Sequence, residues 1–199
     1  MKRFVLAILA VLLLCAVPVF ARDSYYLTGD TLFQIRAGVN FPTFISFFRD
    51  PDMGTKTFED THLSLGGNAS LSYQGFLNES FVLGGQIEYV FNYSVGGKLL
   101  TTVPITAKLT YMPVQTGKFD FGITLNLGAA FIRYNEGKYL APYAALTITP
   151  TYYFSDNWGL GVESGMMLTA EIYTKNNVKY NQSAFTGLLP VSLVLSYRH

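Results

Sequence analysis

The sequence is short of charge, cysteine and histidine, and each shortage excludes a class of protein. Only 14% of its 199 residues are Asp, Glu, Lys or Arg, whereas an ordinary soluble domain carries roughly 25%. Water is therefore not the solvent this surface is built for. Formal net charge is +1, which leaves no basic field to recruit nucleic acid. Cys15 is the only cysteine and sits inside an N-terminal apolar run, so the rest of the chain has neither a disulfide framework nor a thiolate metal site. His62 and His199 are the only histidines, and nothing in the pattern calls for a metal or a cofactor. No helical period persists over three turns beyond the N-terminal run, and that run, Phe4 to Val17, stops at Pro18, short of the roughly 20 residues a spanning helix needs.

What is present begins with a targeting signal. Lys2 and Arg3 precede the apolar run, and Val19-Phe20-Ala21 closes it as a small-x-small cleavage site. This is the layout of a secretory signal peptide over residues 1–21, leaving 22–199 as one domain. Leu14 before Cys15 is not the small residue that lipid attachment at that cysteine would want.

Half of the chain is hydrophobic and 16% aromatic, and the apolar residues alternate with polar ones at period two, the mark of strands. Phe81, Leu83, Ile87, Tyr89, Phe91 and Tyr93 share one face, against Ser80, Gln86, Glu88 and Asn92 on the other. Eight such segments are expected: Thr31 to Phe41, Leu63 to Gln74, Ser80 to Tyr93, Leu99 to Met112, Lys118 to Ile132, Tyr139 to Phe154, Trp158 to Tyr173 and Gly187 to Arg198. Each exceeds the usual five or six residues of a globular strand and meets the 9 to 11 of a membrane-spanning one. Short turns at Gln74 to Glu79, Pro113 to Gly117 and Ser155 to Asn157 alternate with longer connections such as Pro42 to His62 and Thr174 to Thr186. Phe33, Tyr73, Phe81, Tyr111, Phe119, Phe154, Trp158 and Tyr197 put one aromatic per strand at the short-turn level, an interfacial girdle. The expected fold is an all-β, eight-stranded antiparallel up-and-down transmembrane barrel.

On these features the chain resembles the small eight-stranded outer-membrane barrels of diderm bacteria, the OmpA, OmpX and OmpW group. The opening strand Gln34-Ile35-Arg36-Ala37-Gly38-Val39 looks like the first strand of the OmpW type. The resemblance implies an outer-membrane location, a lipid environment, insertion by the barrel-assembly machinery and a monomeric state. One departure is His199, which stands last where those families end in an aromatic.

Three groups of inward or rim residues are candidates for function. Arg36, Lys108 and Arg198 face Glu88, Asp120 and Glu163 by parity. Eight strands leave an interior just wide enough for side chains, so these charges should pair and plug the lumen; a gated ion path through the same network is the alternative. Above them Val90, Leu100, Ile132, Tyr143, Met167 and Leu188 point inward, either as a hydrophobic cup open to the outside or as filling for the upper barrel. Phe44, Ile45, Phe47 and Phe48 lie in the first long connection, where they form an apolar lid over that cup or prolong the first strand. Pro104 and Pro150 fall within strands and require bulges or gaps in pairing. In OmpW-type barrels such gaps are associated with lateral exit of apolar molecules.

Catalytic signals are sparse. His62-x-Ser64 is similar to a pair in lipid A deacylase barrels, but both residues have inward parity and that family's site faces lipid. Gly159-x-Gly161 has no helix after it and is not a phosphate cradle. No catalytic residue is assigned. The functions in view are a narrow conduit or binding cup for small hydrophobic molecules, a structural or adhesive surface barrel, and, less in keeping with the residues, a lipid-modifying enzyme. On this reading the mature chain folds in detergent as a β-rich species whose gel mobility shifts on boiling; a water-soluble monomer with no shift would instead indicate a lipocalin-like barrel.

Overall fold

The computed structural model describes residues 25–50, 52–94, 96–134, 137–173 and 180–199; the expected signal peptide lies outside them. Nine strands follow in order: β1 (Thr31–Phe47), β2 (Thr55–Thr57), β3 (Gly66–Phe76), β4 (Phe81–Tyr93), β5 (Leu99–Gln115), β6 (Phe119–Tyr134), β7 (Gly137–Tyr153), β8 (Trp158–Glu171) and β9 (Ala184–Arg198). Each long strand pairs antiparallel with its neighbour, and β9 returns to β1, from Leu32↔Arg198 to Phe47↔Ala184. Eight strands thus close a barrel, and the three-residue β2 hooks onto the upper part of β1.

The alternation sorts residues between two environments. Ser70, Ser72 and Gln74 of β3 and Thr106, Lys108 and Thr110 of β5 are buried inside. Leu71, Ile87, Ile105, Leu146, Leu160 and Leu193 stand on the outer wall, about half exposed. A soluble barrel would reverse this arrangement. At the short-turn end, Tyr73, Phe33, Tyr197 and Trp158 are direct neighbours across β3, β1, β9 and β8. Phe81 stacks on Tyr111 at 5.0 Å. On β7 it is Tyr152, opposite Phe119, that completes this row; Phe154, expected there, lies just beyond the strand and is also exposed.

The short turns share one device. Asn78 Oδ1 accepts from the Phe81 amide at 2.9 Å, Thr116 Oγ1 from Phe119 at 2.7 Å, and Ser155 Oγ from Trp158 at 2.9 Å. A polar side chain three residues before each strand thus holds the first amide of the returning strand, as Asx and ST turns do.

Two departures from regular pairing bear on the interior. β1 runs six residues past its expected end because a bulge between Pro42 and Phe44 lets it stay paired with β9. Pro104 and Pro150 occupy interruptions, as expected, and the register is unchanged across them, whereas Pro113 lies in a bulge of β5 between Tyr111 and Val114. β4–β5 pairing lapses between Ile87↔Ile105 and Val90↔Thr102, beside Pro104, and β7–β8 pairing between Ile148↔Ser164 and Thr151↔Gly161, beside Pro150. A third lapse, between Ser164↔Val191 and Met167↔Leu188, lies beside Pro190. Proline has no amide to give the ladder.

Close approach of neighbouring strands also requires glycine at inward positions. A Cβ on Gly128 would lie 2.1 Å from the Ile105 carbonyl oxygen, a backbone atom with little freedom to move. Gly128→Ala is therefore expected to destabilise the folded barrel by about 1–3 kcal/mol, read as a lower urea midpoint in phospholipid vesicles; an unchanged midpoint would show that the β5–β6 spacing is not fixed there.

Candidate functional site

The lumen is built in three layers, and the middle one comes from the alternation of four strands. Arg36 on β1 is level with Ser70 on β3 and Glu88 on β4, and it reaches across to Glu163 on β8. Its guanidinium contacts Glu88 with one terminal nitrogen and Glu163 with the other, and all three residues are almost wholly buried. Glu88 also accepts from Gln86 at 3.1 Å and from the Tyr143 hydroxyl at 3.3 Å, and Glu163 from Thr149 at 3.3 Å. A single cation thus ties carboxylates on two walls, the arrangement in which a buried pair is tolerable because the remaining lone pairs are also used.

Lys108 departs from the expected scheme. Its ammonium donates to Gln34 at 2.8 Å and Ser72 at 3.2 Å, neutral acceptors on β1 and β3, and among the described residues it takes part in no salt bridge. On the inner wall from β4 to β7, Gln86 Oε1, Thr106 Oγ1, Asn126 Oδ1 and Thr147 Oγ1 are buried with no protein partner. The ion pairs of the polar layer thus lie on β1, β4 and β8, where Arg36 Nε is also without a protein partner, and none lies on the wall from β5 to β7 among the described residues. Below it lies a cavity of about 10 Å³, lined by Gln34, Thr110, Asp120, Thr124, Thr149 and Tyr153, with room for about one water.

The lowest layer is a floor that sequence periodicity missed. Tyr26, which precedes β1, is 2% exposed. Its ring stacks on Phe76 at 4.1 Å within an apolar group of Leu32, Val82 and Met112. Its hydroxyl donates to Asp120 and accepts from Arg198 Nη1 at 3.1 Å. Burial, with Tyr153 and Asp120 beside it, raises the phenol far above its ordinary value, so it stays a donor. Arg198 is bound on every side: Nε to the Asp156 carbonyl and Nη2 to the Gly117 carbonyl, both at 2.7 Å, with its guanidinium 3.6 Å from the Tyr153 ring centre and 4.0 Å from that of Tyr25. Asp120, one of the three inward acids expected to pair with the inward bases, lies 3.8 Å away. Tyr26 falls in an irregular segment with no alternation to mark it; the only sequence signal was an aromatic pair, Tyr25-Tyr26, just before the first strand.

The upper layer gathers Val90, Ile132, Tyr143, Met167 and Leu188 with Ala130, Ala141 and Ala145, and Leu100 packs against it. The expected residues meet, but each of the eight is less than a tenth exposed, so they form a closed apolar layer rather than an open cup. Tyr143 belongs to two layers, because its ring packs here and its hydroxyl reaches Glu88.

The segment expected as a loop or lid is the upper part of β1. Beyond the bulge, Phe44 is opposite Gly187, Ile45 opposite Thr186 and Phe47 opposite Ala184. Residues paired in this way share a face, so Ile45 and Phe47 turn to the lumen side with Ala184. Phe44 lies over Gly187 on the outer wall, and Phe48 contacts Phe185 there at 4.9 Å. The four residues divide by ordinary alternation, and the bulge, by shifting the frame one residue, makes Ile45 and Phe47 the inward pair.

Ser64 donates to the Tyr93 carbonyl at 3.0 Å, so its hydroxyl is committed to the backbone, and His62 closes a short 3-10 turn with φ 57°. Among the described residues no group of three His, Cys, Asp or Glu is placed to hold a metal.

A closed antiparallel barrel with an apolar wall, an aromatic girdle and a polar lumen defines a transmembrane barrel of the outer-membrane class. A protein-family model matches residues 18–197, and the chain belongs to that family. A protein of Treponema pallidum (strain Nichols), described as uncharacterized, is 27% identical over 96 residues, 48% of this chain; that stretch is 43% of the relative's own length. Among solved structures, Neisserial surface protein A covers 84% of this chain and 96% of its own at 13% identity and TM-score 0.49. The attachment invasion locus protein Ail of Yersinia pestis covers 86% and 100% at 9% identity and TM-score 0.49. OprG from Pseudomonas aeruginosa covers 86% and 97% at 11% identity and TM-score 0.44.

Arg36 serves two carboxylates, so its loss should cost more than the loss of either acid. Arg36→Ala is expected to destabilise the barrel by about 3–5 kcal/mol and Glu163→Gln by about 1–2 kcal/mol, both measured by urea unfolding in vesicles. Equal effects would mean that the two contacts do not act as one unit.

Proposed function

We propose that this outer-membrane barrel takes small apolar molecules at its long-loop mouth and does not pass them straight down its axis. The observation that supports this reading is the apolar layer set inside the barrel directly above a charged one. A lumen that only needed filling there could continue the Ser, Thr and Gln of the layer directly beneath. Met167 and Leu188 sit at the top of the β8–β9 interruption, where a guest could leave sideways into lipid instead of crossing the Arg36 layer and the Tyr26 floor. Methionine is unbranched and readily repacks around a guest. Ile45 and Phe47, turned to the lumen side, supply further apolar surface at the rim.

One observation favours a second reading, a structural or adhesive surface barrel without transport: the apolar layer is already closed by its own side chains. Binding of the fluorescent probe N-phenyl-1-naphthylamine to the folded chain separates the two. Met167→Gln and Phe47→Ser are each expected to weaken binding roughly tenfold, the worth of part of a buried apolar side chain, while Phe48→Ser, on the outer wall, leaves it unchanged. Absence of probe binding, or equal loss at Phe47 and Phe48, would favour the surface-barrel reading.

A further inference from the structure

At the mouth-side edge of the apolar layer lies a polar atom that the chain itself leaves unused. Asn92 takes the inward position of β4 one step above Val90, a member of that layer, and its cross-strand partner on β5 is Leu100, which packs against the layer. Asn92 is wholly buried. Its Nδ2 donates to the Ser64 carbonyl at 2.9 Å, which fixes the orientation of the amide, since the reverse one would set two oxygens against each other. Gly66 leaves space for the group, because a Cβ there would lie 2.6 Å from Nδ2. At the other end of the amide, Oδ1 is buried with no hydrogen-bond partner among the described residues. The neighbouring inward amide on β3, Asn68, is committed elsewhere: its Nδ2 donates to Asn40 at 2.6 Å and its Oδ1 accepts from Ser192 at 2.8 Å. A buried acceptor without a donor costs free energy that an incoming donor would restore.

We infer that Asn92 Oδ1 is the polar contact for a guest of the apolar layer, and that the guests it selects are small apolar molecules bearing a hydroxyl, such as phenols and aliphatic alcohols. This rests on the reading that the layer takes guests, and adds which kind. Once Met167 and its neighbours repack around an apolar body, the end of the guest beside Leu100 meets an acceptor whose own amide protons point to Ser64. A hydroxyl gives its proton to Oδ1. A hydrocarbon leaves the oxygen unpaired, and an ionised carboxylic acid brings only further acceptors against it. Discrimination of this kind, in which the analogue lacking the donor strands a buried polar group, is stronger than discrimination by apolar shape.

The test uses the full chain folded in detergent micelles and displacement of N-phenyl-1-naphthylamine by p-cresol and by p-xylene, which differ by a hydroxyl in place of a methyl group. Free concentrations are corrected for partition into protein-free micelles. Both compounds compete with the same probe, so the probe's own affinity cancels from the ratio of theirs. The expected cresol-to-xylene affinity ratio falls about tenfold in Asn92→Leu and in Asn92→Ala, and is retained in Asn92→Asp, which keeps an acceptor of the same shape. Asn126→Leu, which removes an unpartnered amide oxygen from the polar layer, is expected to leave the ratio as it is. A mobility shift on boiling confirms that each variant is folded, and the alanine variant keeps the test decisive if the leucine one is not. A ratio unchanged in the leucine and alanine variants would overturn the inference while displacement of the probe still upheld the apolar-guest reading. Equal loss in Asn92→Asp would trace the effect to the Ser64 contact and overturn it as well. Failure of both compounds to displace the probe would remove the apolar-guest reading itself, and this inference with it.

Discussion

The constraint on which the rest of the structure depends is that no backbone amide or carbonyl facing hydrocarbon can go unpaired. Eight strands satisfy it only by joining the last to the first, and the β1–β9 pairing does so over nearly the full length of both. That closure sets the bore. An eight-stranded barrel leaves space for side chains and little else, so one arginine on β1 can touch carboxylates on β4 and on β8. In a wider barrel the same three residues would be separated by water and would define no plug.

Within that bore the layers differ in what holds them. The floor is a knot of aromatic rings and carbonyl oxygens around Arg198, reinforced by Tyr26 from outside the sheet. The middle is electrostatic and lopsided, with its ion pairs toward β1, β4 and β8 and its unpartnered oxygens on the wall from β4 to β7. The ceiling is apolar and joined to the middle through one hydroxyl, that of Tyr143. The charged middle layer thus lies between two apolar groups, one below it around Tyr26 and one above it around Tyr143.

Much of this was legible in the sequence because a barrel strand writes its environment into every second residue. The eight strands, the girdle, the inward charges and the membership of the apolar layer all follow from period two. Legibility ended where the period broke. The bulge at Pro42 to Phe44 reversed the frame, so that Ile45 and Phe47 rather than Phe44 and Phe48 face the lumen, which no constant alternation could anticipate. Tyr26 lies outside the strands and enters the lumen as an irregular segment. Lys108 and Tyr143 were placed on the right face, but their partners depend on distances between walls: the lysine found Gln34 and Ser72 rather than an acid, and the tyrosine, counted as apolar, found Glu88.

The bulge in β1 has a further consequence for how this strand can change. Pro42 is opposite Leu188 and Phe44 opposite Gly187, so Thr43 is a supernumerary residue between two stretches that are each in step with β9. It works as a phase spacer: the lower stretch keeps one inside-outside frame and the upper stretch keeps the other. Loss of Thr43 would merge the two into one continuous ladder with every side chain above it on its present face, whereas loss of any single residue elsewhere in the upper stretch would put the frames in conflict. Of the positions in β1, Thr43 is thus the one at which the chain can be shortened without turning its rim inside out.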